Sequence, residues 1–487
     1  MEKKTKPSPN TNKETKLFSL IKSISKDEFR ELENFILSPA FNQDKNNVKL
    51  YHFIRDHYQE FLDNSFSNEE IYRGVFRNAG YSKTKYWKLT SGFSGMIDDF
   101  LIYREFSKDI YYRKNLLLDI YRTRNIQKQF ETLSKEMYRN FSTDFNKGLS
   151  FYLNRTHFYF QKLSYLGPED IDEFEADLRN MFENLKMFFI MTNITGVSII
   201  SNFKENFPAE AKKDIWMFRE ILGYLGSNKK TVKKKDQIVY IFYLIILMKM
   251  DFTDEGNYFE IKKLIQNRGV RLSKNLLRHI LINLFDYAVK KFTSGEEKFL
   301  REIYFINKVM DDNSVTLFGE FIQGDYFYSV VEHSAMLEEI SWAEDFMKKY
   351  GRYLTEDYRE SAVNLSRARI NFESGDFDSS LNDLLKVENL NPYFYLSHKI
   401  LLLQNLFEKN DYESIDRVLE TTQKYINRRI DISDELKKNY LKFFYFFKKL
   451  KTAATARYLS GKLLKEISRE PFFIYRKWLL SKSRELI

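Results

Sequence analysis

Residues 362–419 read AVNLSRARINFESGDFDSSLNDLLKVENLNPYFYLSHKILLLQNLFEKNDYESIDRVL. Two turn tripeptides punctuate this stretch, Gly375-Asp376-Phe377 and Asn410-Asp411-Tyr412, at an offset of 35 residues. Each follows one apolar-periodic segment and precedes another, so the stretch predicts two helical hairpins in tandem. An earlier start shares the phase: Ile340-Ser341-Trp342-Ala343 matches Phe377-Asp378-Ser379-Ser380, and then Tyr412-Glu413-Ser414-Ile415. A lone hairpin cannot bury its apolar face, so such a repeat dictates stacking.

Composition agrees with a nearly all-helical chain. Only 17 Gly and 7 Pro interrupt 487 residues, too few for the many tight turns of an all-β protein. The 45 Phe and 32 Tyr suit the seams between stacked helices, where rings fill space at little rotamer cost; a ligand-stacking surface is the alternative. The absence of cysteine excludes disulfides, thiol catalysis and thiolate metal sites, and is compatible with a cytoplasmic location. The polar start, residues 1–15, has no apolar core and reads as a disordered basic tail rather than a signal peptide or anchor. The longest apolar run, Ile238 to Met248, falls short of the roughly 20 residues that span a bilayer. It predicts a helix buried on all sides.

The formal net charge of +10 is unevenly spread. Residues 436–487 hold 14 Lys or Arg against 3 Asp or Glu, which leaves the rest of the chain close to neutral. A second basic cluster, Lys229, Lys230, Lys233, Lys234 and Lys235, beside Gly226-Ser227-Asn228, reads as an interhelical loop and a subdomain boundary. Basic ends attract nucleic acid, an acidic protein or an anionic membrane surface; a solvated helix face is the plainer reading.

Along the chain, Ser25-Lys26-Asp27-Glu28 and Ser67-Asn68-Glu69-Glu70 are capping boxes that start helices. A helix over residues 48–62 is expected between them. The joint Asn78-Ala79-Gly80-Tyr81-Ser82 then leads into a longer helix with Tyr86, Leu89, Phe93, Ile97 and Phe100 inward, and Gly92 and Gly95 read as points of close helix contact. Short helix, tight joint and longer helix is the outline of a helix-turn-helix. Lys83, Lys85 and Lys88 near the start of the second helix are the candidate nucleic-acid contacts. Lysines alone are poor equipment for reading bases.

Residues 16–110 thus form an N-terminal helical module and 111–250 an array of long helices. Within the array Gly167-Pro168-Glu169-Asp170 marks a helix start, and Asp172, Glu173, Glu175 and Asp177 read as a wet surface. Residues 251–470 form paired shorter helices, with a capping box expected at Ser294-Gly295-Glu296-Glu297 and helices at 317–337, 435–451 and 453–468. Residues 471–487, with Pro471 at the start and Trp478 inward, form a basic capping helix.

The segment 340–425 resembles tetratricopeptide repeats, and 270–470 more loosely so. The features are small Ala368 in a first helix, the turn Gly375-Asp376-Phe377, small Ser380 and large Leu384 in the second helix, and the closing Pro392. Leu402, Leu406 and Leu419 continue the pattern. Arg367 and Asn371 depart from it, as do Leu403 and Ile415 where small residues are usual. The resemblance implies an all-α, right-handed superhelix of antiparallel hairpins, and protein binding in an extended groove rather than catalysis. Arg367, Asn371 and Lys399, polar at expected core phases, are the candidate partner contacts. No Walker loop, dinucleotide fingerprint, nucleophile elbow or gathered set of histidines appears, so neither a cofactor nor a metal is expected. The function this reading implies is a non-enzymatic scaffold or adaptor for a protein or peptide, with a nucleic-acid-binding regulator as the alternative and an anionic membrane surface third.

Overall fold

The computed structural model describes residues 15–63, 65–77, 79–144, 147–165, 171–201, 212–266, 272–317, 319, 321–388, 392–429, 434–456, 460–470 and 473–487. Residues 1–14, the Gly167-Pro168-Glu169-Asp170 start and Pro471 lie outside them. The described residues are helical and contain no strand, so the fold is all-α. No helix among them is long and apolar enough to cross a membrane. The chain divides into two compact units, Met1–Thr143 with Asn154–Phe182, and Asp144–Leu153 with Glu183–Ile487.

The first unit begins with α1 (Lys16–Ser23), α2 (Lys26–Leu37), α3 (Lys45–Asp56), α4 (Tyr58–Leu62), α5 (Asn68–Val75) and α6 (Lys83–Lys108). Both predicted capping boxes form: Ser25 Oγ accepts from the Glu28 amide at 3.2 Å while Glu28 accepts from the Ser25 amide at 2.7 Å, and Ser67 with Glu70 repeats the pattern. The helix expected over 48–62 is broken at His57, whose backbone leaves the helical region and whose Nδ1 bonds the Phe53 carbonyl. α6 is the spine on which α1, α2 and α3 pack, through Leu32, Leu50, Ile54, Phe93 and Ile97, all wholly buried. Its glycines are not close contacts. A Cβ on Gly95 would meet nothing within 4 Å, and one on Gly92 only Asn47 Oδ1 at 3.9 Å.

The same unit contains α7 (Ile110–Thr123) and α8 (Gln127–Thr143), and takes in part of α9 (Leu149–Tyr165) and of α10 (Ile171–Ile200). Asn115 of α7 donates to the Asn154 carbonyl at 2.9 Å, and Phe130 of α8 stacks on Tyr165 at 4.0 Å. Not all of the acids on α10 form a wet surface. Asp177 is buried against the Lys162 ammonium at 2.6 Å, since the helix turns that side toward α9.

The second unit continues with α11 (Phe218–Ser227), α12 (Lys229–Lys235) and α13 (Gln237–Met250). The basic stretch is therefore a short helix within this unit, not a loop. Asp236 ends it and caps α13 by accepting from the Val239 amide at 3.1 Å. On α13 every residue from Ile238 to Ile246 is buried, as the apolar run predicts.

Helices then come in sequential pairs: α13 with α14 (Gly256–Gln266), α15 (Lys274–Thr293) with α16 (Lys298–Asp312), α17 (Gly324–Ala335) with α18 (Ile340–Tyr350), α19 (Glu356–Glu373) with α20 (Phe377–Leu384), α21 (Pro392–Glu408) with α22 (Tyr412–Arg428), and α23 (Asp434–Ala456) with α24 (Ser460–Arg469). Each pair touches the next: α13 meets α15, α16 meets α17, α17 meets α19, α19 meets α21, and α22 meets α23. The last helix, α25 (Arg476–Glu485), packs on α23 and α24.

Three boundaries differ from expectation. Ser294 closes α15 by donating to the Lys291 carbonyl, and Gly295 at φ +108° turns the chain, so no capping box forms there. The helix expected from 317 starts at Gly324. The break expected near 452 is absent because α23 runs through to Ala456.

The seam between α19, α20 and α21 shows why small residues recur in this pattern. Ser380 of α20 is wholly buried, and its hydroxyl donates to the Ala368 carbonyl at 2.8 Å while accepting from Asn405 at 3.0 Å. One small polar side chain thus satisfies groups on three helices, which a larger residue would hold apart. At the turn after α19, Gly375 adopts φ +80°.

The two glycine environments predict opposite responses. Gly95→Ala in open helical space should stabilise the protein by about 0.5–1 kcal/mol. Gly375→Ala in the left-handed region should cost about 1–2 kcal/mol. Denaturant unfolding of both variants checks the pair; destabilisation by the first would show a close contact at Gly95 after all.

Candidate functional site

α17 is buried along its whole face from Phe327 to Ala335, because it is wedged between α16, α18 and α19. That burial encloses polar groups that must find partners. Glu332 accepts from the Tyr328 hydroxyl at 3.1 Å and from the Tyr475 hydroxyl at 2.5 Å, the latter supplied 143 residues further on. His333 Nδ1 bonds the Ser329 carbonyl at 2.6 Å, and burial lowers its pKa, keeping the ring neutral. From α19, Arg369 is 2% exposed. Its guanidinium pairs with Glu373 at 2.5 Å, donates to Gln404 at 3.2 Å and lies 5.5 Å from the Tyr475 ring centre. Burial pulls its pKa down, but Glu373 and Glu332 prevail and hold it charged.

These groups form the floor of a cleft of about 1100 Å³. α13 contributes Lys249 to its lining, α15 Asn283, Asp286 and Lys290, α17 Glu332 and His333, α19 Arg369 and Glu373, α21 Ser397, and α23 Tyr440. Every first helix of the six pairs therefore reaches the same cleft, whereas the second helices contribute only Lys298, Leu300 and Arg301 at the start of α16. Residues 474–478 and Ser481 from the C-terminal segment line it as well.

The walls carry ionisable groups displaced from their ordinary ranges. Burial pushes the Lys249 ammonium down to about 8, against the pull of Asp286. The Asp286 side chain retains accessible surface, yet it stands inside the concavity, where lost hydration pushes its carboxyl up to about 6 despite Lys249. Tyr287 and Phe252 add aromatic surface, with Lys290 and Lys291 both about 5 Å from the Phe252 ring. The chemistry is that of a mixed polar and aromatic binding surface. Among the described residues no group of three or more His, Asp or Glu side chains stands ready to hold a metal ion.

None of the candidate contact residues read from the sequence lines this cleft. Arg367 is exposed and lies 3.9 Å from Asp383, and Asn371 donates to the same carboxylate at 3.0 Å, so both face α20. The core phase assigned to Arg367 belongs to Arg369. Lys399 is half-buried with its ammonium 5.3 Å from the Tyr395 ring centre, and burial lowers its pKa. Lys83, Lys85 and Lys88 are exposed on the first turns of α6. In the other cluster Lys229 and Lys233 are engaged by Glu260, while Lys230, Lys234 and Lys235 are exposed. Some of the basic side chains at the C-terminus are engaged too: Lys442 pairs with Glu470, Lys449 with Glu466, Lys451 with Asp416 and Lys482 with Glu408.

Glu332, Arg369 and Tyr475 escaped the sequence reading. The available signal was a glutamate and an arginine within stretches of mostly small or apolar residues, Tyr328 to Ala335 and Ala368 to Phe372. No known family matches the chain, and neither the curated proteins nor the solved structures contain a match.

The raised Asp286 carboxyl carries a pH signature. Its folded pKa lies above its unfolded value, so protonation favours the folded state and its contribution is lost as pH rises through about 6. Asp286→Asn should therefore raise the denaturation midpoint at pH 7.5 and leave it nearly unchanged at pH 3. Equal effects at both would refute the shift.

Proposed function

We propose that the second unit is a right-handed, tetratricopeptide-like superhelix of antiparallel hairpins, and that the chain is a cytoplasmic, non-enzymatic adaptor holding a protein segment in the cleft. The observation that carries this reading is the convergence of all six first helices on one concavity, which of their partners only the start of α16 reaches. In a stacked array the first helices form the inner wall, and successive hairpins extend the surface along a peptide. Mixed charge with aromatic rings suits a peptide, whose backbone and side chains need both.

The nucleic-acid reading rests on Lys83, Lys85 and Lys88, exposed together on α6. The ion pairs of Lys442, Lys449, Lys451 and Lys482 weigh against it, since a cation already paired releases few counterions on meeting phosphate.

Two charge-reversal variants separate the readings. Lys290→Glu with Arg301→Glu, both exposed at the cleft, should reduce capture of a protein partner by at least tenfold, after nuclease treatment and with the fold intact. Lys83→Glu with Lys85→Glu and Lys88→Glu should leave it unchanged. The reverse pattern, with nuclease-sensitive capture, would contradict the adaptor reading.

A further inference from the structure

The chain's own C-terminal segment forms one wall of the cleft, through residues 474–478 and Ser481. Phe473 is wholly buried and stacks on Phe446 at 5.2 Å. Beyond it, Tyr475 stands at the N-cap of α25, and Trp478, Leu479 and Lys482 follow at i, i+1 and i+4 on one face of that helix. All four meet the array. The Tyr475 hydroxyl bonds Glu332 of α17, the Trp478 ring lies parallel to Phe447 at 5.7 Å and edge-on to Phe407, Leu479 is wholly buried, and Lys482 pairs with Glu408 of α21 at 2.9 Å. Lys477 adds a longer pairing, 3.9 Å from Glu297 before α16. A helix that only closed the last hairpin would touch α23 and α24. This one reaches back to α21, α17 and the start of α16, which is how an anchored helix lies in a groove.

We propose that residues 473–487 occupy the recognition surface as a surrogate, and that the partner is an amphipathic helix with the same face: a tyrosine, then tryptophan and leucine one turn on, then a cation one turn further. This rests on the adaptor reading and names the partner's chemistry. Three observations favour exchange over permanent closure. The anchor at Tyr475 is polar, and the carboxylate beneath it and the guanidinium beside it are costly to bury; apolar residues would serve a permanent core as well. Tyr475 holds a left-handed backbone at φ +53°, a conformation a partner helix need not adopt. The cleft continues beyond the segment past Lys249, Phe252, Asp286 and Lys290, so a longer partner gains contacts the segment lacks. A tethered segment competes at an effective concentration on the order of millimolar, which sets the handicap a partner must overcome.

The test uses the full chain and a fluorescent synthetic peptide of residues 471–487. Tyr475→Phe with Trp478→Ala loosens the tethered segment, and peptide binding by anisotropy should strengthen at least tenfold over the unmodified chain. Adding Glu332→Gln should reverse that gain. A folded variant that binds the peptide no better than the unmodified chain overturns the proposal. A second measurement needs no variant: saturating peptide should speed amide exchange in residues 476–485 of the unmodified chain severalfold, and unchanged exchange also overturns it. A chain that ignores the peptide yet captures a protein partner through Lys290 and Arg301 sinks the surrogate alone, whereas loss of both sinks the groove.

Discussion

A carboxylate buried in the third hairpin and a tyrosine hydroxyl 143 residues later, 2.5 Å apart, tie the second unit together. Glu332 sits on a helix with no exposed side across Phe327 to Ala335, so its charge must be met by protein. Tyr328 meets part of it from the same helix, and the field of Arg369 from α19 another part. The remainder comes from Tyr475, which brings the C-terminal segment back across the array. Burial and the Glu332 charge together raise the Tyr475 pKa well above its ordinary value, so the hydroxyl stays a donor at any physiological pH. Neighbouring helix pairs touch along the unit, and this bond adds a contact between the third hairpin and the C-terminal segment.

Around that polar centre the packing is aromatic. Phe443, Phe444 and Phe447 on α23 are wholly buried, with Phe407 and Trp478 against them. Rings of this size fill the wedge between neighbouring hairpins where the small residues of the α19–α20 seam would leave voids. The two kinds of seam explain why the repeat pattern is regular near Ser380 and lost near α23. Close approach demands small residues at fixed positions, whereas a wide seam accepts any arrangement of rings that fills it.

The legible part of the fold followed from local rules. The capping boxes at Ser25 and Ser67, the buried run Ile238 to Ile246 and the helix starts at Ile340, Phe377 and Tyr412 all stand where spacing placed them, because each depends on residues within one or two turns. The site was not legible in the same way. Which arginine faces inward, Arg367 or Arg369, depends on how α19 is rotated against α17, and that rotation is set by packing across hairpins. The match between Glu332 and Tyr475 has no local signature at all. Ser294 failed as a cap for a related reason: four residues fit the capping pattern, but the chain needed a left-handed glycine there to turn from α15 into α16.

The most direct test is a double-mutant cycle between Glu332→Gln and Tyr475→Phe, followed by denaturant unfolding. If the buried bond joins the C-terminal segment to the third hairpin, the two changes should be non-additive by at least about 1 kcal/mol. Effects that add to within about 0.5 kcal/mol would mean that Tyr475 and Glu332 act independently, and would contradict the account.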